Sequence, residues 1–230
     1  MMELELQFYG GRGAGGDSGG PALPSGGGQK NINIGEETNV WTYRHNPNNE
    51  EYVDNINESV RTIYNDFPGV MDETVSSVNA TEIKGKQKNT VLGFYSEGDK
   101  SVNLNTNFTD VQKMNDVYDD SVASGYHPGR GKKSGVEAVT FHEMGHAVND
   151  NIAQKRGKSL DKAADDIVNN AYKKSGGKGG TLKWAGTISK YAQTSSAECI
   201  AEAVADYYCN GKNASSASKA IVKEMKAQSK

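Results

Sequence analysis

Apolar residues recur with the helical period along much of this chain, and with a two-residue period in a few short stretches. From Glu50 to Phe67, Val53, Ile56, Val60, Ile63 and Tyr64 share one face, and Pro68-Gly69 is expected to end that helix. Thr90 to Tyr95 and Ser101 to Asn107 read as short strands, with Glu97-Gly98-Asp99 as a hairpin turn between them. Thr109 to Ser124 reads as a helix capped by Thr109, followed by the loop Gly125-Tyr126-His127-Pro128-Gly129. The next helix carries Val136, Val139, Phe141, Ala147 and Val148 as buried positions. Ser134 is its expected cap, with Glu137 three residues on completing a capping box. Leu160 to Lys173, Ser195 to Cys209 (closed by Gly211) and Ser215 to Lys230 are further helical segments, the last weakly amphipathic, with a Ser175 to Gly180 loop after the first.

The beginning of the chain has a different texture. Residues 2–9 alternate through Leu4, Leu6 and Phe8, a strand-like or docking pattern. Gly10 to Gly28 holds ten glycines in nineteen residues, a composition unable to bury a core. The expected organisation is an apolar head at 1–9, a Gly-rich flexible linker at 10–30, a folded domain at 31–212 opening between Asn31 and Trp41, and a helical tail at 213–230. The fold class expected is α+β.

Composition narrows the function classes. The 230 residues contain 35% hydrophobic residues at a mean hydropathy of -0.72, so the core is modest. A net charge of -3, with acids and bases mixed, gives no nucleic-acid surface; Lys132-Lys133 and Lys173-Lys174 read as solvated faces. No stretch has the apolar length of a membrane span, and no basic region precedes an apolar run at the N-terminus. A cytoplasmic monomer without membrane partners is expected, non-standard export remaining open. Cys199 and Cys209 fall in one helix about 15 Å apart and cannot pair with each other, so a reduced protein is expected.

The chemistry resides in His142-Glu143-Met144-Gly145-His146. Two histidines four apart on a helix share a face and can reach one metal ion, and the glutamate between them can take a proton from metal-bound water. Only four histidines occur in the chain, and two sit at ligand spacing. Catalytic zinc usually takes three protein ligands. A third histidine six residues beyond the motif is excluded by Ile152, and Gly186-Thr187-Ile188-Ser189 has serine where an aspartate ligand would stand. Glu198 and Glu202 remain, four apart on one helical face. Either Glu198 is the ligand with Glu202 behind it, or Glu202 is the ligand with Asp206 behind it. A metal-free alternative makes Ser195 and Glu198 a capping box and leaves Glu202 solvated.

The segment from Ser189 to Glu202, with Tyr191 seven residues before Glu198, and the motif His142-Glu143-Met144-Gly145-His146-Ala147-Val148 resemble the anthrax lethal factor family of zinc peptidases, gluzincins of zincin fold. The likeness in element order spans roughly residues 90–210, and it is specific in these two segments. It implies His142, His146 and Glu198 as ligands of Zn2+, Glu143 as general base, Tyr191 facing the oxyanion or leaving amine, and Glu202 hydrogen-bonded behind a ligand. It also implies a small twisted sheet packed on the motif helix and a second, glutamate-bearing helix. A peptide substrate then adds to the edge strand, for which Ser101 to Asn107 or its neighbour is the candidate. A neutral phenol at Tyr191 suits an oxyanion donor on chemical grounds also. His127 is expected to be an exposed loop residue. The function expected is zinc-dependent endopeptidase; the alternatives are a binding or assembly protein of phage or mobile-element origin without proteolysis, or a toxin-like effector.

Overall fold

The computed structural model describes residues 50–230 in full, together with the backbones of Tyr9–Gly10, Asn31–Ile34 and Thr38–Thr42. The apolar head, Tyr9 apart, and the Gly-rich linker, Gly10 apart, lie outside the described residues. The strands are β1 (Tyr9–Gly10), β2 (Asn31–Ile34), β3 (Thr38–Thr42), β4 (Ser77–Thr81), β5 (Gly93–Ser96) and β6 (Ser101–Asn105). The helices are α1 (Glu50–Asp66), α2 (Pro68–Glu73), α3 (Val111–Ala123), α4 (Gly135–Lys155), α5 (Leu160–Lys174), α6 (Thr181–Ala185), α7 (Ser196–Asn210) and α8 (Ser216–Gln228). The architecture is mixed α+β and mostly helical, and no described helix is long and apolar enough to cross a membrane.

The sheet has the order β1-β5-β6-β4-β3-β2. The hairpin expected at Glu97-Gly98-Asp99 is present: β5 and β6 pair antiparallel, with Tyr95 opposite Val102. β6 is an interior strand, parallel to β4 on its other side. Neither edge candidate is therefore an outermost strand: Ser101 to Asn107 lies between β5 and β4, and its neighbour β5 pairs on its outer side with β1 through Phe94 and Tyr95. β4 had no signal in the sequence. It is buried on both faces, and its polar residues form a ladder with β6. Asn79 Nδ2 and Thr81 Oγ1 donate to Asn103 Oδ1 at 3.2 and 2.9 Å.

α4 is the centre of the molecule. Every residue from Gly135 to Ala153 is buried, as expected of a helix enclosed by other elements on all sides. Its start is the expected capping box: Glu137 N donates to Ser134 Oγ at 3.1 Å, and Ser134 N to Glu137 Oε2 at 2.8 Å. α1, α3, α5, α7 and α8 pack against it through their apolar faces. Ile56, Val60 and Ile63 of α1 are fully buried, worth about 1.5–3 kcal/mol each. Pro68-Gly69 ends α1 by starting α2, with proline at a first-turn position where its missing N–H costs nothing. α3 is capped by Asp110, not Thr109; the Asp110 carboxylate accepts from Lys113 N. α8 is no appended tail: Ile221, Val222 and Met225 belong to the common core.

Candidate metal centre

α4 and α7 meet where Gly145 leaves room, and this contact brings the two signature segments together. A Cβ at Gly145 would lie 2.9 Å from the Ala201 Cα. His142 and His146 project from one face of α4, their rings 5.0 Å apart. Glu198, in the first turn of α7, points its carboxylate at both: Oε2 is 3.2 Å from His142 Nε2 and 3.5 Å from His146 Nε2. The metal-free capping-box alternative is half realised, since Glu198 N does donate to Ser195 Oγ at 3.1 Å, while the carboxylate turns to the histidines.

These three residues form a buried group able to hold a metal ion, with their donor atoms within 4.8 Å of one another. The fit to a tetrahedral ion can be tested. Donors bound at about 2.0–2.1 Å in tetrahedral geometry lie about 3.4 Å apart, which matches the two separations to Glu198. His146 Nε2 and Glu198 Oε2 are enclosed and make no well-formed hydrogen bond, an arrangement that is costly unless something else satisfies them.

Glu202 lies one turn further along α7 and takes a different role. Its Oε1 is 2.9 Å from His142 Nδ1, and its Oε2 accepts from Ser189 Oγ at 2.7 Å. Burial raises its pKa, but His127 and His142 lower it further, to about 2. An ionised carboxylate only accepts, so His142 Nδ1 carries the hydrogen and Nε2 faces Glu198. Of the two ligand registers, the geometry therefore favours Glu198 with Glu202 behind it. Asp206 is removed from the site: it accepts from Ser215 N, Ser218 Oγ and Asn210 Nδ2 at 2.8, 2.6 and 2.8 Å, and holds the start of α8.

Glu143 projects beside the histidines and beneath β5. Gly93 permits the approach; a Cβ there would meet Val139 Cγ1 at 3.0 Å and Glu143 Cγ at 3.3 Å. Neither carboxylate oxygen of Glu143 makes a well-formed hydrogen bond. Burial pushes its pKa up, against the pull of His142, His146 and the nearby Tyr95 amide, to about 7. For His142, burial pushes down but the close carboxylates of Glu198 and Glu202 raise it to about 10. Glu198 is held well below the carboxylate range: burial raises it, and His146 and His142 outweigh that.

Tyr191 begins a short 3-10 turn just before α7. Its ring stacks on Tyr126 at 5.0 Å and lies nearly parallel to the His142 ring at 6.0 Å. Burial pushes the phenol pKa far up, and Glu198 adds to it, so the hydroxyl stays protonated. The sequence reading of His127 is corrected. It is 2% exposed, and Nδ1 lies 3.0 Å from Glu202 Oε1. Ser189, noted in the sequence only as a missing ligand, supports Glu202. The one sequence signal for His127 was scarcity: three of the chain's four histidines meet here.

Cys199 is buried and Cys209 partly so, and both are free thiols, as expected from their spacing. Burial pushes the Cys199 thiol up to about 12, which leaves it unreactive. No family model matches this chain, and no curated protein or solved structure matches it.

Proposed function

We propose that the protein is a zinc-dependent endopeptidase of zincin-like fold. The observation that carries this reading is the convergence of His142, His146 and Glu198 within 4.8 Å, beside a buried Glu143 whose carboxylate is left without a well-formed hydrogen bond. Two histidines and a glutamate are a ligand set typical of catalytic zinc, which leaves a fourth position for water. When bound, zinc lowers the pKa of that water to about 7.

The chain's own residues supply the rest. Glu143 Oε accepts the proton from the attacking water and passes it to the departing amine, a role that suits a carboxyl raised to about 7. Tyr191, kept protonated by burial, donates to the oxygen that becomes charged during attack. Glu202 fixes the His142 tautomer. The peptide lies along β5, in place of β1 at Phe94 and Tyr95. A binding or assembly protein built on the same fold would have no use for an unbonded carboxylate at Glu143, which favours hydrolysis over that alternative.

The test is digestion of a peptide library by the full chain loaded with zinc, beside Glu143→Gln. Cleavage by the wild type and loss of it in the variant, with zinc retained, is the expected result. Equal cleavage by both would overturn the assignment of Glu143, and no cleavage by either would overturn the endopeptidase reading.

A further inference from the structure

His127 lies outside both signature segments, yet it is among the most constrained side chains of the site. The loop that carries it is tied to the Tyr191 segment by backbone: Lys190 N donates to Gly125 O at 3.0 Å and Tyr191 N to Tyr126 O at 3.1 Å. Gly125, at φ 73°, supplies the left-handed turn that opens this loop. Pro128 O accepts from Tyr118 OH at 3.2 Å. The imidazole is then enclosed by three aromatic rings. Tyr118 stacks on it at 5.7 Å, and Tyr126 and Tyr191 meet it edge-on at 5.0 and 5.4 Å. With the ring held on these sides, Nδ1 is aimed at Glu202 Oε1, the same oxygen that accepts from His142 Nδ1.

We propose that His127 is a positioning residue of the metal centre: by donating from Nδ1 to Glu202 it fixes the carboxylate that orients His142, and through its ring it seats Tyr191. Three groups hold Glu202, namely His127, His142 and Ser189. Without His127, Oε1 keeps only the His142 contact, and the carboxylate can rotate about its remaining anchors. His142 Nε2 then loses its fixed aim, in the way that loss of a supporting hydrogen bond weakens metal sites by about 10–100-fold. The role in metal binding rests on the zinc reading given above, whereas the hydrogen-bond relay does not.

The experiment compares the full chain with His127→Leu and His127→Asn. Zinc affinity is measured by competition with a chromophoric chelator, and the His142 Nδ1–H resonance is followed by side-chain 15N NMR in metal-free protein. Leucine removes the donor. It should weaken zinc binding about tenfold, and the His142 Nδ1–H resonance should shift and broaden. Asparagine places an amide N–H near the Nδ1 position and should restore both. Should His127→Leu fail to fold, His127→Gln replaces it, because its amide reaches towards Nε2 instead, and the same losses are expected. An unchanged His142 resonance in the leucine or glutamine variant would overturn the relay, whatever the zinc result. A wild type that binds no zinc, with the resonance still perturbed in the variants, would overturn the zinc reading and leave the relay standing. Tight zinc binding by the wild type and by His127→Leu alike would overturn the role of His127 in metal binding.

Discussion

Gly145 of α4 lies so close to Ala201 of α7 that a methyl group on Gly145 would come within 2.9 Å of the Ala201 Cα and 3.2 Å of Val204 Cβ. The glycine inside the histidine motif thus sets the distance between the two helices that bring His142, His146 and Glu198 together. Its place is structural, and its effect on the site is geometric.

Two effects compete in Gly145→Ala. Alanine favours the helix by about 1 kcal/mol over glycine. The clash is with a neighbouring backbone and a β-branched side chain, neither of which can step aside, and overpacking of this kind costs about 1–3 kcal/mol. A net loss of stability is expected, together with weaker metal binding as Glu198 is pushed away from the histidines. Chemical denaturation and zinc titration measure the two. A more stable variant with unchanged zinc affinity would show that α4 and α7 do not meet this closely.

The two glutamates of α7 should separate cleanly. Glu198→Ala removes one of three metal donors and is expected to abolish stable zinc binding. Glu202→Ala removes the partner of His142 Nδ1 and should weaken zinc binding by about 10–100-fold. The reverse order of severity, read by metal analysis, would place the ligand one turn further along α7.

Asp206→Ala should leave the metal site intact and damage the fold. The buried carboxylate accepts three hydrogen bonds at the start of α8 and the end of α7, and bonds to a charged acceptor contribute about 1.5–3 kcal/mol. A fall in Tm of roughly 5–10 °C is expected, with zinc affinity unchanged. Loss of metal without loss of stability would return Asp206 to the site.

For Tyr191→Phe, zinc content should be retained and kcat should fall by about 10²–10³-fold, the usual cost of losing one donor to a developing oxyanion. KM should change little, because the bond is used in the transition state. A kcat equal to the wild type would leave Tyr191 as a packing residue against Tyr126 and His142.

The six longer helices were legible in the sequence because their apolar positions recur with the helical period, and α4 and the start of α7 were marked further by their chemistry; the short α2 and α6, of six and five residues, are too brief to show a period. β4 was not legible, since a strand buried on both faces that pairs Asn79 and Thr81 with Asn103 has no alternation to display. His127 was misread for a related reason. Its burial comes from Tyr118, Tyr126 and Tyr191, contacts set by tertiary packing, and a Gly/Pro loop gives no local sign of them. The choice between Glu198 and Glu202 was also beyond helical geometry, which puts both on one face. The close approach of α7 to α4 at Gly145 settles which carboxylate meets the Nε2 atoms.

The central claim is that His142, His146 and Glu198 bind one zinc ion. Metal analysis of the purified full chain and of His146→Ala, both exposed to zinc and then dialysed, tests it most directly. One zinc per chain in the wild type and almost none in the variant is the predicted result. Equal metal content in the two proteins, or no zinc retained by the wild type, would contradict it.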